Sequence, residues 1–197
     1  MELLAHDLVV VRQKAKLVEM TNQYLLEDGE GTQIGVVEQV GQNFIRKALR
    51  LLTSVDQYLT HRLEIRDAAG TVVLRLLRPA KFLKSKVVVS DGSGATIGTI
   101  VQQNVMGKKR FTLEGPDGSI LGELLGENWV SWDFQIVDPG GAVVARVNKK
   151  WAGMLREGFT TADTYVFQAE TGLTGPLRQL AFAAATAIDT ALKQDDN

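Results

Sequence analysis

The segment Leu63-Glu-Ile-Arg-Asp-Ala-Ala-Gly-Thr-Val-Val-Leu74 reads as an alternating strand, a turn ending in glycine, and a second β-branched strand. The same shape returns as Val87-Val-Val-Ser-Asp-Gly-Ser-Gly-Ala-Thr-Ile-Gly98, as Phe111-Thr-Leu-Glu-Gly-Pro-Asp-Gly-Ser-Ile-Leu-Gly122, and as Phe134-Gln-Ile-Val-Asp-Pro-Gly-Gly-Ala-Val-Val-Ala145. The turn glycines Gly70, Gly94, Gly118 and Gly141 are spaced by 24, 24 and 23 residues. Glycine suits these positions because hairpin turns place a residue at φ > 0. An earlier copy, Tyr24 to Gly35, turns at Gly31. Between it and the next copy lies an insert, 44–55, whose Leu, Ala, Arg and Lys content predicts a short helix.

A hairpin of about 24 residues cannot bury its apolar face alone. Several of them can close around one core, and closure removes unpaired strand edges. The C-terminal stretch supplies a candidate filling. After the break at Gly172 to Pro176, residues 177–192 contain no Gly or Pro and are rich in alanine. Their apolar positions do not keep to one stripe, and a helix apolar on most sides is enclosed by protein or membrane. Sixteen residues are too few for a membrane span, which takes roughly 20. The bottom-up expectation is a mostly β (α+β) single domain over 1–197. Hairpin repeats occupy about 20–170 and form a closed β-barrel of ten to twelve strands. A central hydrophobic helix, about 176–193, passes through it.

Composition narrows the function classes. The 45% hydrophobic and 23% charged content belongs to an ordinary globular chain. A formal charge of −1 provides no global field for nucleic acid. The absence of cysteine excludes disulfides, thiol catalysis and Cys-type zinc sites. His6 and His61 are the only histidines, and neither sits in a metal or nucleophile motif. Gly92-Ser-Gly94 is followed by a strand rather than by Gly-Lys-Ser/Thr and a helix, so it reads as a hairpin turn and not a phosphate loop. No catalytic constellation emerges, and the expectation is a protein that is not an enzyme.

Asn148-Lys-Lys-Trp-Ala-Gly-Met-Leu-Arg-Glu-Gly-Phe-Thr-Thr-Ala-Asp-Thr-Tyr-Val-Phe167 resembles the signature of the phospholipid scramblase family. The matching residues are Lys150, Trp151, Gly153, Glu157, Phe159, Thr160, Ala162 and Asp163, with Ile188 and Asp189 in the helix beyond. The Ile-Gly-x-Val-x-Gln element matches at Ile34 to Gln39 and at Ile97 to Gln102. The resemblance spans about 8–192. It implies a Tubby C-terminal-like barrel of twelve antiparallel strands around a central hydrophobic helix, shared by Tubby-like, LURP-one-related and scramblase proteins. Scramblases are linked to calcium-dependent phospholipid movement, and Tubby-like domains bind phosphoinositide headgroups through basic residues. Calcium takes six to eight oxygen ligands. After Asp163 this chain offers only Glu170 nearby, so Asp163 is a weak metal candidate and no cofactor is expected. Turn capping is the competing role for Asp163. A structural partner, one of the arginines, is expected for Asp189.

Charge is unevenly spread. Residues 61–90 carry a net +5, against −2 for 1–60 and −4 for 91–197. The run Leu74 to Lys86 places Arg75, Arg78, Lys81, Lys84 and Lys86 among Leu and Phe with no acidic residue. Such a run suits phospholipid headgroups or an anionic membrane surface, or it is a solvated strand edge. A second cluster is Lys108-Lys-Arg110. Trp129, Trp132 and Trp151 stack on a ligand or pack the barrel. Three readings follow. The first is a cytoplasmic, peripheral, headgroup-binding barrel at the inner face of a membrane. The second is a structural barrel whose partner is another protein, and the third is a calcium-dependent scramblase. The first expects Arg75, Arg78, Lys81 and Lys84 to share one exposed face.

Overall fold

The computed structural model describes residues 2–13, 23–40, 61–79, 85–104, 109–126, 133–148 and 164–192, without the side chains of 13, 23 and 188–192. Among the described residues, a 3-10 turn at Leu3–Ala5 precedes twelve strands and one helix. The strands are β1 Leu8–Gln13, β2 Gln23–Glu27, β3 Gln33–Gln39, β4 His61–Asp67, β5 Val72–Arg78 and β6 Lys86–Asp91. They continue with β7 Thr96–Gln102, β8 Arg110–Glu114, β9 Ile120–Gly126, β10 Asp133–Val137, β11 Val143–Asn148 and β12 Thr164–Ala169. Each pairs antiparallel with its sequence neighbour, and β1 pairs with β12 to close a barrel. The helix α1 spans Gly175–Leu192, the expected position within a residue. The expected insert helix at 44–55 lies outside the described residues.

The hairpins form because the turn chemistry is local. In Asp67-Ala-Ala-Gly-Thr71, Asp67 Oδ1 accepts the backbone N–H groups of Ala69 and Thr71 at 3.0 and 2.9 Å. Gly70 adopts φ +82°, a conformation costly for any residue with a Cβ. Asp28 and Asp91 do the same for their turns. Every hairpin then shifts register by one residue as its second strand begins, as at Ile65/Arg66 and Val89/Ser90. That bulge sharpens strand twist, which barrel closure requires. All five repeats read from the sequence are hairpins, with β1 and β12 as the closing pair.

Alternation then fills the barrel. Leu74 and Leu76 of β5, Ile65 of β4, Val89 of β6, Leu113 of β8 and Ile136 of β10 point inward and are buried. They share one core with α1, whose Leu180, Ala181, Phe182, Ala183, Ala184 and Ala185 are all at most 3% exposed. Burial on every side explains why this helix carries no polar stripe. The strands make room for it with small residues. A Cβ on Gly98 would lie 2.1 Å from Glu114 O and 3.0 Å from Leu180 Cδ1, and one on Gly122 would lie 2.9 Å from Leu177 Cδ1. Phe182 meets Phe167 of β12 edge to face, with centroids 5.4 Å apart.

Candidate functional site

The barrel has two chemically different ends. The five hairpin turns lie at one end and carry Asp28, Asp67, Asp91, Asp117 and Asp138, with Glu170 after β12. None of these turns holds a Lys or Arg. Their carboxylates are fixed by turn hydrogen bonds. The Ser93 hydroxyl donates to Asp91 at 2.6 Å, and the Ser119 hydroxyl donates to Asp117 at 2.6 Å. These hydroxyl bonds, helped by turn N–H groups, hold both carboxyls below the ordinary aspartate value.

The same end is sealed by Arg178 in the first turns of α1. Its guanidinium donates to the carbonyls of Leu4, His6 (2.8 Å) and Leu173 (3.0 Å), and to Asp7 Oδ1 at 2.9 Å. A buried guanidinium is tolerated when its donors are used in this way. Leu3 of the adjoining 3-10 turn, 2% exposed, belongs to the core.

Among the described residues, the opposite end is basic on its β4–β8 side, while Asp133 stands at the start of β10. Here the outward-facing side chains of Arg62, Lys86 and Arg110 are exposed, at the starts of β4, β6 and β8. Leu77 is directly opposite Arg62 across the ladder and is 37% exposed, and Pro79 beyond it is exposed too. Strand spacing alone separates successive cations by roughly 10 Å. Among the described residues, neither Arg62 nor Lys86 has an ion-pair partner. Arg110 approaches Glu123 at 3.6 Å with its side chain 57% exposed. On the inner side of this end lie Arg78 and Lys109, 5% and 6% exposed, and His61, which Gln39 Nε2 meets at 2.9 Å.

The basic run is therefore divided. Arg75 points outward but is engaged by Glu64 at 3.4 Å and by the carbonyls of Asp91 and Gly92. Arg78 points inward and is buried. The expectation that Arg75 and Arg78 share one exposed face fails, because residues three apart on a strand face opposite sides. The edge-strand alternative fails as well, because a closed barrel has no edge. Lys86 is exposed at the rim, and Lys81 and Lys84 lie outside the described residues. So do Lys150, Trp151, Gly153, Glu157 and Asp163, the tryptophans Trp129 and Trp132, and the side chain of Asp189. The described arginine in α1, Arg178, is bonded to Asp7. Among the described residues no group of three His, Asp or Glu side chains is placed to hold a metal. No described helix is long and apolar enough to cross a membrane.

Arg62 and Arg110 were not singled out as one set with Lys86, yet the sequence contains the signal. Arg62, Lys86 and Arg110 each stand eight residues before a turn glycine, at Gly70, Gly94 and Gly118. The repeat that makes the hairpins thus puts a cation at one phase in three successive copies.

Fold and rim together define a closed hairpin barrel wound around its own C-terminal helix, acidic at one end and basic on the β4–β8 side of the other. A sequence profile described as Scramblase matches residues 1–192, so the chain belongs to the Scramblase family. It is 24% identical over 182 residues to a phospholipid scramblase family protein of Schizosaccharomyces pombe, covering 84% of this chain and 47% of that protein. It is 25% identical over 174 residues to altered inheritance rate of mitochondria protein 25 of Saccharomyces cerevisiae, covering 75% and 52%. The chain thus spans about half the length of these curated relatives. A solved Arabidopsis thaliana protein matches 96% of this chain and 92% of its own, with 12% identity and a TM-score of 0.49.

Proposed function

We propose that this barrel binds phospholipid headgroups at an anionic membrane surface, as a peripheral protein of the inner face, without chemistry of its own. We propose further that residues 1–197 fold as one unit. The observation that carries this reading is the exposed rim of Arg62, Lys86 and Arg110 around exposed Leu77. Two of these cations have no carboxylate partner among the described residues, so phosphate can take that place. Family membership supports the lipid character of the ligand. A basic residue near such a surface contributes about 1 kcal/mol. Replacing Arg62 and Lys86 with Gln should therefore lower vesicle partitioning about 30-fold at low salt. Both side chains are exposed, so the variant should melt as the parent does. The assay is co-sedimentation with phosphatidylcholine vesicles, with and without phosphatidylserine, at low and high salt and with and without calcium. Equal binding to neutral and anionic vesicles, or an unaffected double variant, refutes the reading. Binding that requires calcium supports instead a metal site at the weak candidate Asp163.

A further inference from the structure

We propose that the barrel docks end-on, with the rim of Arg62, Lys86 and Arg110 against the anionic bilayer and the five hairpin turns pointing away from it. This orientation rests on the membrane-surface reading above and adds to it a single pose. A barrel can meet a plane in three ways, and charge separates them.

With the barrel inverted, the turn aspartates would face the lipid phosphates. Asp67 and Asp91 are held at the turn tips by backbone hydrogen bonds and cannot fold away. Like charges would then meet over a whole end. Lying on its β1–β5 side, the barrel would present walls whose charges are already matched. On the β3–β5 wall, Arg66 is paired with Glu64 and lies 3.5 Å from Glu38, and Arg75 is 3.4 Å from Glu64. On the β1–β2 wall Arg12 is paired with Glu27. A paired cation must release its carboxylate before it gains a phosphate, which removes most of the attraction.

Among the described residues, the β11 wall offers only half-buried Arg146, whereas the end-on pose brings two exposed cations without a carboxylate partner, Arg62 and Lys86, to the lipid together with Arg110. It also places exposed Leu77 and Pro79 at the interface, where apolar side chains gain by burial. Ile120, the other exposed large apolar side chain described, is isolated beside the Asp117 turn, as single surface apolar residues commonly are. The two ends are also well separated. Seven-residue strands tilted as in closed barrels raise the turns roughly 18 Å above the rim. That is about two Debye lengths at physiological salt, so the aspartates are screened from the bilayer in this pose.

The absence of cysteine makes the pose directly measurable. Pro79→Cys and Ala69→Cys put single thiols at the two ends of β5, and Leu77→Cys and Ala142→Cys serve as a second pair. Each is labelled with an environment-sensitive fluorophore and mixed with vesicles of phosphatidylcholine, alone or with phosphatidylserine. Sedimentation of the same samples reports binding independently. The proposal expects a blue shift and brighter emission at 79 and 77 with anionic vesicles only, and no change at 69 and 142. If the protein sediments but the labels at 69 and 142 respond, or all four stay silent, the orientation is wrong and the lipid reading stands. If it fails to sediment with anionic vesicles, both are overturned.

Discussion

Replacing Phe182 with alanine tests whether α1 is the core of this barrel rather than an appendage. Phe182 is 2% exposed in the middle of the helix and contacts Phe167, 1% exposed, at an interplanar angle of 78°. Truncation withdraws roughly 100 Å² of apolar surface from burial, worth about 2.5–3 kcal/mol at the usual coefficient. The void adds about 1–2 kcal/mol, because the rigid barrel wall and flanking alanines cannot collapse into it. The expected total is about 4 kcal/mol, a large part of the roughly 5–15 kcal/mol that holds such domains folded. For a chain of this length that corresponds to a melting temperature lower by about 8–16 °C. Urea denaturation and calorimetry measure it. A double-mutant cycle with Phe167→Leu should return a coupling of about 0.5–1.5 kcal/mol for the ring pair. A loss below about 1 kcal/mol would refute an enclosed helix, since solvent or a loose packing would then already surround the ring.

Two further outcomes follow from the contacts. Gly98→Ala should destabilise by about 1–3 kcal/mol through overpacking, because the new Cβ would meet the Glu114 carbonyl at 2.1 Å and could only be relieved by parting β7 from β8. Gly70→Ala has open space and only its φ of +82° to oppose it, so thermal melts should show the smaller loss there; equal losses would contradict the close approach. Ser93→Ala should raise the Asp91 pKa toward its ordinary value, because the hydroxyl bond is the largest cause of its lowering. The folded value lies below the unfolded one, so this bond stabilises above the unfolded carboxyl pKa and is lost as pH falls through the folded value. Carboxyl NMR titration checks it, and an unmoved Asp91 would remove the hydroxyl as the cause.

Much of the fold was legible because it is decided locally. Asp67 and Gly70 sit three residues apart and complete their turn without help from the rest of the chain, so the repeat announces five hairpins. The all-round apolar character of 177–192 announces enclosure, and in a chain of hairpins enclosure means a lumen. The rim was less legible. A contiguous run such as Arg75 to Lys86 looks like one patch, but strand alternation sends Arg75 out and Arg78 in. The Arg178 lock was not legible at all, since its partners Leu4, His6 and Asp7 lie more than 170 residues away and two of them accept through backbone carbonyls.

The two charged ends do not have the same standing. The aspartates of the turns are explained by the fold itself, because each accepts the N–H groups that its turn leaves unpaired, and a ring of five follows from five hairpins. At the rim, Arg62 and Lys86 have no such duty, and Arg110 reaches Glu123 at 3.6 Å. The position eight residues before the turn glycine holds Gln23 and Asp133 in the first and last hairpins, and both hairpins form with the same bulge and pairing as the others. The strand therefore accepts a neutral or an acidic residue at this phase. Arginine or lysine in the three central copies is a choice the barrel does not need in order to fold. It leaves Arg62 and Lys86 exposed without a partner among the described residues. Charge that the structure does not use is available to a ligand, and a flat anionic surface is the ligand that three outward cations, roughly 10 Å apart on one rim, are spaced to meet.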